Sequence, residues 1–489
     1  MQQKPTPLFS AIPIASLIVL LFIGLDIFGT DALNGASQIC LLIATGICLT
    51  ISILKYKATW NDHEKALKKN IADTSVSIFI LLLIGAMSGT WMVSGIVPTL
   101  IYYGLQIISP QIFLFTACII SGLVSIVTGS SWTTIATIGI ALLGIGRAEG
   151  FSDGWIAGAI ISGAYFGDKI SPLSDTTVLA SSISGTKLFD HIKYMLNTTV
   201  PAIAITLIIF FVAGFFMGES SAQDFTGYLS ALDETFNISI FTMIVPVITG
   251  ILIYKKAPAL IVLFVSTLAA SISALILQPQ IIAEIGGGNG ASEMFKGVFT
   301  AISDKTNIKI NNELLSELVS TSGMSGMLNT IWLILCAVCF GAAMNQSGML
   351  QCFITAIFRK IMKTRVGLVF STISNALMMN VATGDQYISI ILTANMFKDE
   401  YKKQGYENRL LSRTCEDSAT VTSVLVPWNT CGMTQSTVLG VATLVYLPYC
   451  FFNLLSPLMS LIHAIFGWKI HQKSPEEISA EEVETGTEK

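Results

Sequence analysis

Charge is what this sequence has least of. Asp, Glu, Lys and Arg supply only 12% of its 489 residues, against roughly 25% in soluble domains, which excludes a chain of ordinary water-soluble units. Histidine is scarcer still: His63, His191, His463 and His471 are the only four, and they fall in loops or near the ends of apolar stretches, so a His-based metal site is not expected. Cysteine is present nine times, but Cys40, Cys48, Cys118, Cys336 and Cys339 lie inside apolar stretches rather than in a disulfide framework. The CxxC spacing of Cys336 and Cys339, in "LILCAVCF", has no His or acid beside it and reads as small packing residues. With a net charge of −4, nucleic acid is not an expected partner.

Apolar residues fill the space that charge leaves. They make up 52% of the chain, the mean hydropathy is +0.69, and stretches long enough to span a hydrocarbon core of about 30 Å recur throughout. The expected fold class is an all-α polytopic membrane protein. Ten crossings are predicted, at about 10–29, 36–54, 74–97, 154–184 (broken), 199–218, 238–254, 257–278, 327–346, 410–434 (broken) and 437–465. The opening "PLFSAIPIASLIVLLFIGLDIFG" is long enough to be the first span rather than a cleavable signal. The closing stretch, 467–489, reads as an acidic, solvated tail.

Basic residues set the orientation. They cluster at Lys55–Lys69, at Lys187 and Lys193, at Lys255 and Lys256, at Arg359–Arg365 and at Lys398–Arg409, whereas 98–110 is uncharged and 219–237 is acidic only. Both termini cytoplasmic places every basic cluster inside, with 279–326 an outer loop carrying short interfacial helices. Two apolar stretches, 110–146 and 366–397, have both ends on one side by this rule, and each is interrupted midway, by "TGSSW" (128–132) and "TGDQY" (383–387). Each is therefore expected to be a re-entrant helical hairpin with a polar tip, because irregular backbone at that depth is tolerated only where protein or a cavity surrounds it.

The interruptions repeat. Thr128-Gly129 and Thr383-Gly384 stand 255 positions apart, and so do Pro172 and Pro427, with Ala164 falling on Ala419. Five crossings separate the two copies, so the second is upside down. The chain is expected to divide into repeats at 1–235 (hairpin 110–146, broken helix 154–184) and 236–466 (hairpin 366–397, broken helix 410–434). An inverted repeat with broken helices is the architecture of a secondary transporter whose site lies near the midplane.

Four segments supply polar groups at that depth: the two tips and the breaks "GDKISPLSDTT" (167–177) and "EDSATVTSVLVPWNT" (416–430). Broken helices free carbonyls and amides, and those carbonyls with Ser, Thr and Asn oxygens suit a hard cation such as Na⁺. Asp168, Asp175 and Asp385 add carboxylates, and an intramembrane ionisable residue is a functional candidate by default. A desolvated carboxylate tends to hold a proton and a bound cation tends to expel it, so one group can exchange H⁺ for Na⁺. Asp175, following Pro172 and flanked by Ser174 and Thr176, is the expected proton carrier. Thr128, Ser130, Thr383, Asn429 and Thr430 complete the expected set. Ser131 and Thr133 read either as ligands or as hydroxyls bonding the preceding turn. Lys169 reads either as a displaceable counter-ion or as the partner that makes Asp168 tolerable. Glu416 and Asp417 read either as site residues or as an ion-pair cluster with Arg413. Asn380 faces the second tip or caps its helix, and Trp132 and Tyr387 read as packing.

"GDKISPLSDTT", "TGSSWTT", "TGDQY" and "EDSATVTSVLVPWNTCG" resemble the NhaC-type Na⁺/H⁺ antiporters of the ion-transporter superfamily, over nearly the whole chain. The resemblance implies Na⁺ extrusion against H⁺ without a cofactor, a bacterial inner membrane, a homodimer in the lipid bilayer, and Li⁺ as a second cation. It carries ligand roles most directly onto Asp168, Ser174, Asp175, Thr176, Asn429 and Thr430. Ala419 stands where relatives often carry Gly, and Asp385 is a carboxylate where a small hydroxyl residue is common. The family also includes a type that exchanges malate and protons for sodium and lactate, which is the alternative function. A remote alternative is an intramembrane aspartyl protease pairing Asp168 with Asp385.

Overall fold

The computed structural model describes residues 5–28, 35–107, 109–217, 225–255, 257–306, 308, 319, 321–358 and 361–472. The tail beyond 472, Glu219 and Asp224 of the acidic loop, Lys256, Arg359, Lys360 and most of 307–320 lie outside the described residues. The described chain is built from helices; its β pairing is limited to the isolated bridges Thr306–Thr321 and Tyr406–Gln472.

Among the described residues, eight helices are long and apolar enough to cross a membrane, and ten candidate spans result if two bent pairs, at 229–252 (83°) and 443–466 (55°), each count as one. Their outward faces carry bare apolar side chains such as Phe22, Leu54, Phe216 and Ile276, the surface expected against lipid rather than water. The chain is an all-α, multi-pass membrane protein.

Some boundaries differ from the sequence reading. The basic stretch 55–72, expected as a loop, is largely the start of one 34-residue helix, Trp60–Val93, capped by the Thr59 hydroxyl accepting from the Asp62 amide at 3.3 Å. Good helix formers and the Glu64–Lys68 pair at 2.5 Å continue the helix beyond its apolar part. The span expected at 199–218 likewise begins earlier, within Leu188–Met217. Short helices do occupy the expected outer segment, at Pro279–Gly286 and Ala291–Ser303.

The helices break at both expected tips, while Pro110–Thr128 and Arg365–Thr383 are each long and apolar enough to be a full span. Phe113–Thr128 ends at Gly129 and restarts at Ser131; Arg365–Thr383 ends at Gly384 and restarts at Gln386. Each glycine has φ 65°, the left-handed value that closes a helix and that a β-carbon disfavours. The breaks also fall where proline predicts. Asp153–Ile170 stops before Ser171 and Asp175–Ser184 begins after Ser174. Around Pro427, Asn408–Cys415 runs into a π turn at Glu416–Thr420 and a short 3-10 turn, and Thr430–Leu439 begins after Asn429.

The first broken helix is locked to the first hairpin by small residues. A β-carbon on Gly163 would stand 2.0 Å from the Cys118 carbonyl oxygen, and one on Gly167 would stand 2.2 Å from that of Gly122. Such close approach replaces side-chain bulk with backbone contact, as glycine permits between membrane helices.

Candidate functional site

The two tips and two breaks share one pattern of hydrogen bonds, and all the partners but the Thr177 and Cys431 amides keep the 255-residue spacing. At the first tip the Ser130 hydroxyl accepts from the Thr133 amide at 3.2 Å, and the Thr134 hydroxyl donates to the Ser130 carbonyl at 2.9 Å. At the second, the Asp385 carboxylate accepts from the Ile388 amide at 3.0 Å, and the Ser389 hydroxyl donates to the Asp385 carbonyl at 2.7 Å. Ser125 donates to the Ala164 carbonyl at 2.6 Å, as Asn380 does to that of Ala419 at 2.8 Å. Ser174 caps its helix through the Thr177 amide at 3.5 Å, and Asn429 caps its own through the Cys431 amide at 3.0 Å.

What the two halves do with this frame differs. A cavity of about 280 Å³ is lined by Thr128, Ser130, Asp168, Ser174, Asp175 and Thr176 of the first half. Asp168 is only 7% exposed, and its Oδ2 accepts from both the amide and the hydroxyl of Ser131, at 3.0 and 2.7 Å. Asp175, in the first turn of its helix, is exposed on the cavity. The Thr128 hydroxyl is engaged within the tip, donating to Ser130 O at 3.1 Å. Ser174 and Thr176 share a hydrogen bond of 3.0 Å, and Thr176 donates on to Glu416 at 3.1 Å, tying the cavity wall to the other half.

The second-half candidates are buried and do not line that cavity. Thr383 donates to the Met379 carbonyl at 2.8 Å, and Thr430 donates to Asp385 Oδ2 at 3.5 Å. Asn429 donates to the Asn380 carbonyl at 3.2 Å, and Asn380 also donates to the Thr422 hydroxyl at 3.1 Å. Asp168 and Asp385 thus each accept hydrogen bonds from donors of their own half, where an aspartyl dyad would need them in contact.

Lys169 and Asp417 form a separate centre. Lys169 pairs with Asp417, 248 residues away, and both side chains are fully buried. Lys169 also donates to Ser456 at 2.8 Å. Asp417 accepts from Thr198 at 2.9 Å and from Ser460 at 2.5 Å. Arg413, fully buried, lies 3.9 Å from Asp417 and 4.7 Å from the Tyr194 ring. The ion-pair reading of Asp417 with Arg413 therefore holds in part, with Lys169 the nearer partner. Thr198, Ser456 and Ser460 were not expected from the sequence, since their hydroxyls sit in apolar helices away from the tips and breaks.

Three cavity-lining residues with polar or aromatic side chains were not among the expected ligands: Trp132, Gln386 and Tyr387. Trp132 and Tyr387 flank the two tips at the same 255-residue spacing, a signal that was available in the sequence. The donors facing the cavity are carboxylates and hydroxyls, a hard-oxygen set suited to an alkali cation rather than to a thiophilic metal.

A family model for the Na⁺/H⁺ antiporter family matches residues 163–468. The chain is 36% identical to the Na(+)/H(+) antiporter NhaC of Alkalihalophilus pseudofirmus, over 86% of this chain and 89% of that one. It is 33% identical to the malate-2H(+)/Na(+)-lactate antiporter of Bacillus subtilis, over 96% and 97% of the two chains. It is also 33% identical to the arginine/ornithine antiporter ArcD of Halobacterium salinarum, over 99% and 97%.

Proposed function

The chain belongs to the Na⁺/H⁺ antiporter family, and we propose that it exports Na⁺ in exchange for H⁺ through the cavity beside Asp168 and Asp175. One observation carries this reading: two carboxylates line a single cavity, and among its described lining residues there is no lysine or arginine to neutralise them. Such a site takes its positive charge from solution. Na⁺ satisfies both carboxylates with help from the Ser130, Ser174 and Thr176 oxygens, and protons do so by binding the carboxylates themselves. Because either occupant weakens the other, each one's arrival drives the other's release. Asp175, exposed on the cavity, is the exchanging group, while Asp168 is held in place by Ser131.

The shared hydrogen-bond frame supports an inverted repeat whose second half, closed here, opens when the first closes. The cavity wall includes Ala257 and Pro258, in the turn that basic residues assign to the cytoplasm, so this conformation faces inward. We place the protein in a bacterial inner membrane with both termini cytoplasmic, as a homodimer that also carries Li⁺.

The same lining weighs against organic acids. Malate, lactate and the carboxylate of an amino acid each need a cationic partner, ideally an arginine fork, and none of the described lining residues provides one. Everted vesicles from antiporter-deficient cells test the choice. Na⁺ or Li⁺ alone is expected to dissipate an imposed pH gradient. A gradient that responds only when malate, lactate or arginine accompanies Na⁺ overturns the reading.

A further inference from the structure

Sodium leaves two features of the cavity unused. The cavity, at about 280 Å³, is roomier than one bare alkali ion requires. The other feature is aromatic: Trp132 from the first tip and Tyr387 from the second line this one cavity. Trp132 is 9% exposed. A hard cation among carboxylates gains little from such rings, whereas a weakly hydrated, planar organic cation gains from both.

We propose that the cavity also accepts a small monovalent guanidinium compound lacking a carboxylate, carried in place of Na⁺. The inference rests on the cation-exchange reading above and extends its substrate class. Guanidinium N–H groups match the Asp168 and Asp175 carboxylates, its plane suits the Trp132 and Tyr387 rings, and the remaining wall is apolar at Ile80 and Val262. Among the described lining residues a substrate carboxylate would meet only like charge.

Methylguanidinium is the probe, because it stays charged at every usable pH and cannot collapse a proton gradient by crossing the bilayer as a neutral base. The full-length protein in proteoliposomes is given an outward proton gradient, and uptake of radiolabelled Na⁺ and of radiolabelled methylguanidinium is followed. Methylguanidinium is expected to inhibit Na⁺ uptake competitively and to accumulate itself. Trp132→Leu and Tyr387→Leu are each expected to raise its half-inhibitory concentration, relative to the half-saturating Na⁺ concentration, about tenfold. Na⁺ uptake with neither inhibition nor entry of methylguanidinium overturns this inference alone, as does a ratio unchanged in both variants. Methylguanidinium uptake without Na⁺ uptake overturns the sodium reading and keeps this one; absence of both overturns both.

Discussion

Asp168 and Lys169 are consecutive residues on one helix, and a helical step of about 100° sends them to different surroundings. Asp168 meets the amide and hydroxyl of Ser131 at the edge of a cavity that also holds Asp175. Lys169 meets Asp417, with Ser456 beside it, in a centre closed to solvent. Both places bring charge into a membrane protein's interior, and they balance it differently. The Lys169 centre carries its own cation on a tether, so its charge is settled when the chain folds. The Asp168 cavity leaves its charge to whatever ion arrives. A transporter needs both: one centre to bind the halves together, and another whose occupant can leave.

The sharpest way to break this comparison is to neutralise each centre in turn. Asp168→Asn and Asp175→Asn should each reduce Na⁺-driven proton flux to the level of empty vesicles, with the protein still present at normal amounts in the membrane. Full flux in Asp175→Asn would remove it as the exchanging group.

Lys169→Met should instead act on folding. Removing one partner of a buried ion pair leaves a bare buried charge and typically costs about 3–5 kcal/mol. Thermal unfolding of the detergent-purified protein should show that loss, and Lys169→Met/Asp417→Leu should recover only part of it, since Arg413 then loses the buried carboxylate 3.9 Å away. A double variant no more stable than the single would mean that Asp417's hydroxyl partners, not Lys169, dominate its burial.

Both centres bear on how far the sequence could be read. The tips, the proline breaks and their 255-residue spacing were legible because each is an interruption in an apolar background, and composition alone betrays it. Lys169–Asp417 was not, since its partners lie 248 residues apart and its hydroxyl donors interrupt nothing. The π turns at Ile135–Gly139 and Glu416–Thr420 were equally hidden, because one extra residue per turn leaves the hydrophobic pattern nearly unchanged. That Asp168 and Asp175 border one cavity while Asp385, Asn429 and Thr430 are buried away from it could not be read at all. The tips and breaks correspond at the 255-residue spacing, and spacing alone does not tell which of them borders a cavity.

Ser131 sharpens the comparison at smaller amplitude. A hydrogen bond to a charged group is worth roughly 1.5–3 kcal/mol, and the Ser131 amide keeps its share when the hydroxyl is removed. Ser131→Ala should therefore raise the Na⁺ concentration for half-maximal exchange by about tenfold, with the maximal rate reduced less. An unchanged half-saturation would mean that Asp168 is oriented by the amide alone.

The smallest effect tests whether the two halves are one design. Thr134 and Ser389 hold the two tips in the same way, each donating to the carbonyl of the residue that caps its helix, at 2.9 and 2.7 Å. Each also sits within hydrogen-bond reach of the threonine before the turn, Thr128 at 3.1 Å and Thr383 at 3.3 Å. Thr134→Val and Ser389→Ala should each lower stability by about 1 kcal/mol, the usual net value of such a bond, and the two losses should agree within the error of thermal unfolding. Thr134 and Ser389 are both fully buried, but their threonine partners differ, since Thr128 lines the open cavity while Thr383 is buried. Water can replace a lost partner at an open site but not at a closed one. A clearly larger loss for Ser389→Ala would therefore show that the closed half depends on its tip for integrity, while the open half can exchange that bond for water as it moves.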